Sequence, residues 1–260
     1  MPLLFFFYRG MPMSEKMRKT VRIIALIALI ISVGLLAFYA ADDIRSKNTD
    51  DKLQDLKGAQ PTFTIPDVLP EYEALCAENP DTIGWLKIDG TGIDNVVMYA
   101  PDEIDKYLHT DFYGNYAYRG CLFMDEYCDI FSSDNIIIYG HNMTDYTMFG
   151  SLMYYVSEDF YKAHKTISFD TIYEKQTYEI VAAVKTALVP DGEDGFKYYE
   201  YTGHDDRQFN EYVKFIEENK LYDTDAEIEP GDKLLTLSTC AYHVKDGRFI
   251  VVAKKTDTAA

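Results

Sequence analysis

The feature that most constrains this chain is an uninterrupted apolar run near the N-terminus. Residues 23–41 read IIALIALIISVGLLAFYAA and contain no charged side chain. A helix that crosses the hydrocarbon core of a bilayer needs about 20 such residues, so the run predicts a membrane span. The alternatives are a helix buried on all faces in a globular core and a cleaved signal peptide. A signal peptide has a shorter apolar core, of about 7–15 residues.

Charges on the two sides of the run predict its orientation. Residues 1–22 hold five basic side chains against one glutamate, and two aspartates follow the run directly. Because basic residues stay on the cytoplasmic side, we expect a single-pass protein of the cell membrane. Its segments are a cytoplasmic N-terminus at 1–22, a transmembrane signal anchor at 23–41, a polar extracytoplasmic stalk at 42–69 and one globular domain at 70–260.

Charge and cysteine spacing exclude several classes of partner. The 260-residue chain has a formal net charge of −18, and its basic N-terminal segment leaves the remainder more acidic still. Such a body repels phosphates, so nucleic acid is not expected as a partner. The four cysteines lack CxxC spacing, and neither a metal site nor a cofactor is predicted. Scattered buried thiols are the favoured interpretation, with a Cys121–Cys128 disulfide as the alternative.

Short apolar runs bounded by Gly, Asp or Asn indicate a mostly β domain. Helical patterns are peripheral: short ones at 70–78, 103–109 and 146–155, and one longer apolar stripe at 205–220. The fold class we expect is an eight-stranded β-barrel, closed or nearly closed, with helices at its edges. The eight predicted strands are 83–88, 95–100, 120–125, 135–140, 166–174, 177–188, 233–240 and 248–255.

Cys240 ends the seventh predicted strand, where the chain opens into a loop. Side chains alternate along a strand, so Ser238 and Cys240 share one face while Leu235 and Leu237 point the other way. A lone cysteine is more often a small buried apolar residue than a nucleophile. A nucleophilic thiol needs a nearby cation or base, because its pKa is ordinarily about 8.5.

Arg248 and one of five histidines are the candidates for that role. Arg248 opens the returning strand, and it lies near Cys240 if the two strands pair; a solvated arginine at a strand end is the alternative. His141 ends an apolar strand as Cys240 does, whereas His243 lies in the adjacent loop. His109, His164 and His204 are interpreted as surface residues. Catalytic groups usually come from separate elements, which favours His141 over His243.

Taken together, these residues resemble a known family. The motifs TLSTC (236–240) and YGHNM (139–143), with an arginine on the next strand, are similar to those of class B sortases, membrane-anchored cysteine transpeptidases of Gram-positive bacteria. The stretches NPDTIGWLKIDGTGIDNVVMY (79–99) and YLHTDFYGN (107–115) add to the likeness. It covers roughly residues 70–255 and implies a sortase-type β-barrel.

The resemblance also implies roles for named residues. Cys240 is then the nucleophile, His141 the general acid and base, and Arg248 the residue that stabilises the transition state. It further implies three substrate-binding residues: Ser238, which contacts or orients the ligand, Leu108, which lines the groove, and Tyr198 in KYYEY, which matches a groove tyrosine. Ala241 and Tyr242 follow the cysteine where some members have acidic residues, so an acidic third catalytic residue is not supported.

The implied reaction joins two partners. A secreted protein presents a C-terminal sorting motif with threonine as its fourth residue, and an amine of a lipid II-type peptidoglycan precursor accepts the acyl group. Three alternatives stay open: a membrane-anchored peptidase that hydrolyses wall peptides with the same residues, a sortase that polymerises pilins, and a non-catalytic surface adhesin.

Overall fold

The structure is a computed structural model that describes residues 15–58, 66–190, 192–203 and 205–256. Side chains are described for 15–41 and from residue 66 onward. Predictions that concern 1–14, 59–65 and His204 lie outside these residues. The chain divides into two compact units, Met1–Ile65 and Pro66–Ala260. Each is described by itself.

The first unit contains one long helix, α1 (Glu15–Gly58, 44 residues). Its part from Glu15 to Ala41 is long and apolar enough to cross a membrane, and none of it is buried in the protein. The predicted span at 23–41 falls within this part. The helix then continues without a break through residue 58. Much of the predicted stalk is therefore regular helix.

The second unit is a closed barrel of eight strands, as predicted. Their order around the barrel is β1-β2-β3-β4-β7-β8-β6-β5. Pairing is parallel between β2 and β3 and between β4 and β7, and antiparallel elsewhere. The strands are β1 (Thr82–Lys87), β2 (Asp94–Met98), β3 (Leu122–Met124), β4 (Asn135–Tyr139), β5 (Thr166–Thr171), β6 (Thr177–Ala187), β7 (Leu234–Cys240) and β8 (Gly247–Lys255).

Alternation along the strands divides most of the buried apolar side chains between two clusters. The barrel interior holds the larger one, to which Leu235 and Leu237 of β7 and Phe249 and Val251 of β8 belong. A second cluster lies on the outer side of β6, β7 and β8 and includes Tyr212. Both sides of this part of the barrel are therefore covered, which explains why these strands are apolar on both faces.

Helices occupy the edges of the barrel. They are α2 (Glu73–Glu78), α3 (Glu158–Ala163) and α4 (Asp206–Asn219). The carboxylate of Asp205 caps α4 by accepting hydrogen bonds from the backbone N–H groups of Arg207 and Gln208. Tyr212 and Ile216 on the apolar side of α4 are buried in the outer cluster.

Two predicted helices are 3₁₀ turns instead. The pattern at 103–109 forms 3₁₀ helix only over Lys106–Leu108, and the pattern at 146–155 does so over Phe149–Val156. In the second case Tyr146 and Met148 have φ angles of 62° and 49°, which are incompatible with a right-handed helix. Neither α3 nor the 3₁₀ turn Tyr198–Glu200 was predicted from the sequence.

Candidate active site

Ser238 and Cys240, which the sequence predicts on one face of a strand, lie on the outer face of β7. Leu235 and Leu237 point into the barrel core. On the opposite face, hydrogen bonds join Thr236 to the hydroxyl of Tyr212 at 2.6 Å and Ser238 to that of Tyr198 at 2.8 Å. Cys240 is the last residue of the strand on this face and is partly exposed. The thiol of Cys240 thus lies at the end of the strand, beyond the tyrosines that cover Thr236 and Ser238.

Arg248 lies directly opposite Cys240. The two residues form the last pair of the antiparallel ladder between β7 and β8. Directly opposed residues project to the same side of a sheet, with Cβ atoms about 4.5–5.5 Å apart. The turn between them is closed by a 2.9 Å hydrogen bond from Ala241 N to Gly247 O. A Cβ on Gly247 would lie 2.2 Å from Ala241 O, so the close turn requires glycine.

Parallel pairing of β4 with β7 brings His141 to the same end of the sheet. The register ends at the pair Tyr139–Ser238, and His141 and Cys240 each follow two residues after a member of that pair. The side-chain amide of Asn142 donates to the backbone oxygen of Cys240 at 2.7 Å. This hydrogen bond links the segment that follows β4 to the end of β7. A Cβ on Gly140 would lie 2.4 Å from Leu122 Cδ2 in the core, so the alternating His141 projects outward.

The surroundings of His141 keep it neutral. Burial lowers the pKa of His141, the charge of nearby His109 lowers it further, and a backbone hydrogen bond with Leu108 acts in the opposite direction. Nε2 is buried and has no hydrogen-bond partner among the described residues. None of the groups that shift this pKa is a carboxylate. The imidazole is thus uncharged near neutral pH and able to accept a proton.

Cys240, His141 and Arg248 share one open groove of about 800 Å³. Arg248 is the one lysine or arginine among the described residues that line it. Leu108 lies in one wall. The remaining lining residues are 104–105, 123, 125–127, 188–190 and 199–200, with Tyr139, Gly140, Ser238, Thr239 and Asp246 along the strands and the closing turn.

The prediction that Tyr198 lines the groove needs correction. Tyr198 is fully buried, and its hydroxyl reaches Ser238 from behind. Its neighbour Tyr199 lines the groove instead. The physical reason is the 3₁₀ turn at Tyr198–Glu200: the first tyrosine is buried within the outer cluster, whereas the second packs against the edge of that cluster and is only partly buried. Burial raises the pKa of Tyr198 to about 12, so it stays protonated.

The other histidines differ in their distance from the groove. His243 is exposed on the turn after β7 and does not contribute to the lining. His164, expected at the surface, is partly buried and stacks on Phe160 with ring centroids 4.1 Å apart. His109, also expected at the surface, is exposed, but its ring lies 5.1 Å from that of His141. Sequence reasoning missed this neighbour.

All four cysteines are free thiols, so Cys121 and Cys128 do not pair. Cys128 is buried, and its sulfur accepts a hydrogen bond from the backbone N–H of Ile137. Burial raises the pKa of both Cys121 and Cys128, to about 11 and about 12. Among the described residues, no group of three or more His, Cys, Asp or Glu side chains is placed to hold a metal ion.

Comparison with known proteins agrees with this geometry. The model of the sortase domain matches residues 86–256, well over half of the chain. The chain belongs to the sortase family, class B. Sortase B of Staphylococcus aureus is 33% identical over 193 residues, which cover 72% of this chain and 75% of that protein. Sortase B of Listeria monocytogenes is 31% identical over 208 residues, 79% and 82% of the two chains.

Solved structures of class B sortases share the fold. The S. aureus sortase B–substrate complex superposes with a TM-score of 0.66 at 30% identity, covering 74% of this chain and 87% of that one. Clostridium perfringens sortase B gives a TM-score of 0.61 at 29% identity, covering 71% and 99%. The family and its class B relatives make this chain a cysteine transpeptidase, a sortase that acts on proteins with sorting signals and on a peptidoglycan amine.

Proposed function

We propose that Cys240, His141 and Arg248 are the catalytic residues of this sortase. The observation that carries the proposal is their convergence in one groove, through the Cys240–Arg248 pair of the ladder and the parallel pairing of β4 with β7. The guanidinium of Arg248, opposite Cys240 in the ladder, supplies forked donors for a substrate oxygen. The neutral imidazole of His141 takes the thiol proton.

The first half of the reaction forms a thioester. The Cys240 thiolate attacks the carbonyl carbon of the threonine in the sorting motif, and Arg248 donates to the oxyanion of the tetrahedral intermediate. When the peptide bond after threonine breaks, the imidazolium of His141 gives its proton to the leaving amine. The threonyl group then remains bonded to the sulfur of Cys240.

The second half transfers the acyl group. A free amine of a lipid II-type precursor attacks the thioester carbonyl, and His141 accepts the proton that this amine loses. Collapse of the second tetrahedral intermediate forms the new amide bond and restores the thiolate. Leu108 contacts the donor motif from the groove wall. Ser238 positions the donor, and Tyr198 contributes by fixing the Ser238 hydroxyl from behind rather than by touching the substrate.

The anchored position is part of the same proposal. The apolar part of α1 is exposed along its whole length, which a membrane span requires, and the basic residues before it favour a cytoplasmic N-terminus. We assign residues 1–22 to the cytoplasm, 23–41 to the membrane, 42–69 to the stalk and 70–260 to the catalytic domain outside. Both substrates are held at that outer membrane face.

Product analysis tests the proposal. The full-length chain in detergent micelles is incubated with donor peptides that carry sorting motifs, with and without a peptidoglycan stem-peptide amine. We expect an amine-dependent ligation product and a thioester on Cys240 detectable by mass spectrometry, both absent from Cys240→Ala. Hydrolysed donor as the sole product, whatever the amine, identifies a peptidase instead. Ligation that persists in Cys240→Ala refutes the assignment of the nucleophile.

A further inference from the structure

The ring of His141 is one of a cluster of aromatic rings at the mouth of the groove. The ring centroids of His141 and His109 are 5.1 Å apart, and those of His141 and Tyr118 are 6.0 Å apart with planes inclined by only 15°. His109 and Tyr118 also contact one another, at 6.2 Å. His141 therefore has a stacked aromatic ring and a second imidazole as immediate neighbours.

The loop that carries His109 and Tyr118 is held closed by its own hydrogen bonds. Nδ1 of His109 lies 3.2 Å from the backbone oxygen of Tyr118, which accepts the hydrogen bond. The N–H of Ala117 donates to His109 O at 2.9 Å. At the end of the loop Gly120 has φ of 55°, and a Cβ there would lie 2.2 Å from Tyr107 O. The loop therefore holds His109 in a defined position relative to Tyr118.

Electrostatics around His141 give His109 a distinct influence. His109 and Tyr118 lie against its ring. The other charged and titratable side chains that line the groove with it are Asp105, Asp125, Glu126, Tyr127, Tyr139, Tyr199, Glu200, Cys240, Asp246 and Arg248. Burial is the main cause of the lowered pKa of His141, and of these neighbouring charges that of His109 adds to it. Two like charges at this separation disfavour each other, so the histidine pair resists taking up a second proton.

We propose that His109 is a positioning residue, which with Tyr118 holds the His141 ring in the groove that also contains Cys240 and places a second imidazole 5.1 Å from it, where a positive charge on both rings is disfavoured. The proposal rests on the function proposed above. Where an acidic partner would stabilise the imidazolium, this chain has a basic one. His141 therefore gives up its proton to a leaving amine more readily, because the charged form is held at higher free energy.

A series of charges at position 109 tests the proposal without depending on turnover. His141 is titrated by NMR in the full-length chain, in detergent, with labelled histidine side chains. His109→Phe keeps a ring and removes the charge, His109→Lys makes the charge permanent, and His109→Glu reverses it. The titration midpoint of His141 should rise in the order Lys, His, Phe, Glu, over about one to two pH units. The acid limb of kcat/KM should move in the same order.

The same substitutions at His243 are the matched control, because that residue is close to Cys240 in sequence but exposed on the turn. They should leave the midpoint unchanged. Equal midpoints for all four residues at 109, or equal shifts from the two series, would overturn the proposal. If the midpoint follows the charge at 109 but no Cys240-dependent product forms, the coupling of the histidines stands and the proposed function fails.

Discussion

The outer face of β7 has two ends that differ in their surroundings. At the covered end, Thr236 donates a hydrogen bond to Asn135 Oδ1 at 2.8 Å and pairs with the hydroxyl of Tyr212, all three buried. At the open end, Cys240 is partly exposed and opens into the groove beside His141 and Arg248. One strand therefore combines a fully paired polar layer with an accessible thiol.

The difference shows how the strand separates rigidity from reactivity. Buried polar groups need partners, and each hydrogen bond contributes about 0.5–1.5 kcal/mol to stability. Cys240, at the open end, is partly exposed in the groove and is accessible to a substrate. Ser238 lies between the two ends: it is buried and paired with Tyr198, yet it also borders the groove. Substitutions at the two ends should therefore affect different measured quantities.

The largest effect should come from the histidine at the open end. His141→Ala removes the proposed acid and base, and kcat/KM for amine-dependent ligation should fall by about 10³- to 10⁴-fold. The free energy of unfolding should change little. His243→Ala is the control and should keep most of the activity. The reverse result, an inactive His243 variant and an active His141 variant, would overturn the assignment of the base.

Replacing the arginine at the open end should have the next largest effect. Arg248→Lys keeps the charge but loses the forked donors, and kcat/KM should fall by about 10²- to 10³-fold. Lys254→Arg is the matched control at the other end of β8, where Lys254 pairs with Leu234. That variant should have normal kinetics. Full activity in Arg248→Lys would show that charge alone suffices.

Substitutions behind the strand should affect stability more than catalysis. Tyr198→Phe and Tyr212→Phe each remove one buried hydrogen bond and should lower the free energy of unfolding by about 1 kcal/mol, measured by denaturant titration. Only the Tyr198 variant should also raise KM for the donor peptide, because its partner Ser238 borders the groove. Equal KM values would place Ser238 among the purely structural residues.

The smallest effect concerns acid stability. The pKa of His141 is lowered in the folded chain. As the pH falls through the ordinary histidine range near 6.5, the unfolded chain therefore binds a proton at this residue before the folded chain does. Folding stability contributed by this group therefore declines toward acid. His141→Gln should flatten the fall in unfolding free energy between pH 7.5 and 5. An unchanged slope would contradict the lowered pKa.

Much of this architecture is predictable from the sequence, because each strand is short, apolar and bounded by turn residues. Side-chain parity alone put Ser238 and Cys240 on one face and Leu237 on the other, and the structure confirms this. Alignment of Arg248 with Cys240 also follows from two strands joined by a short turn.

Other parts of the site depend on contacts that no local pattern contains. The parallel register of β4 with β7 sets the place of His141, and neither strand reveals it alone. The position of His109 beside His141 results from closure of the loop around Tyr118. In KYYEY, only the tertiary packing of the 3₁₀ turn decides which tyrosine is buried. The helix α3 has six residues, too few for a clear apolar period.

The strand order has a consequence for biosynthesis. β7 and β8 come last in the sequence but lie between β4 and β6 in the barrel. The ribosome therefore releases these two strands after the other six. Pairing between strands that are far apart in the sequence makes folding slow. A chain that stops before residue 234 has two unpaired strand edges and no Cys240. Premature termination thus yields an aggregation-prone remnant for the cell's proteases rather than a misdirected ligase.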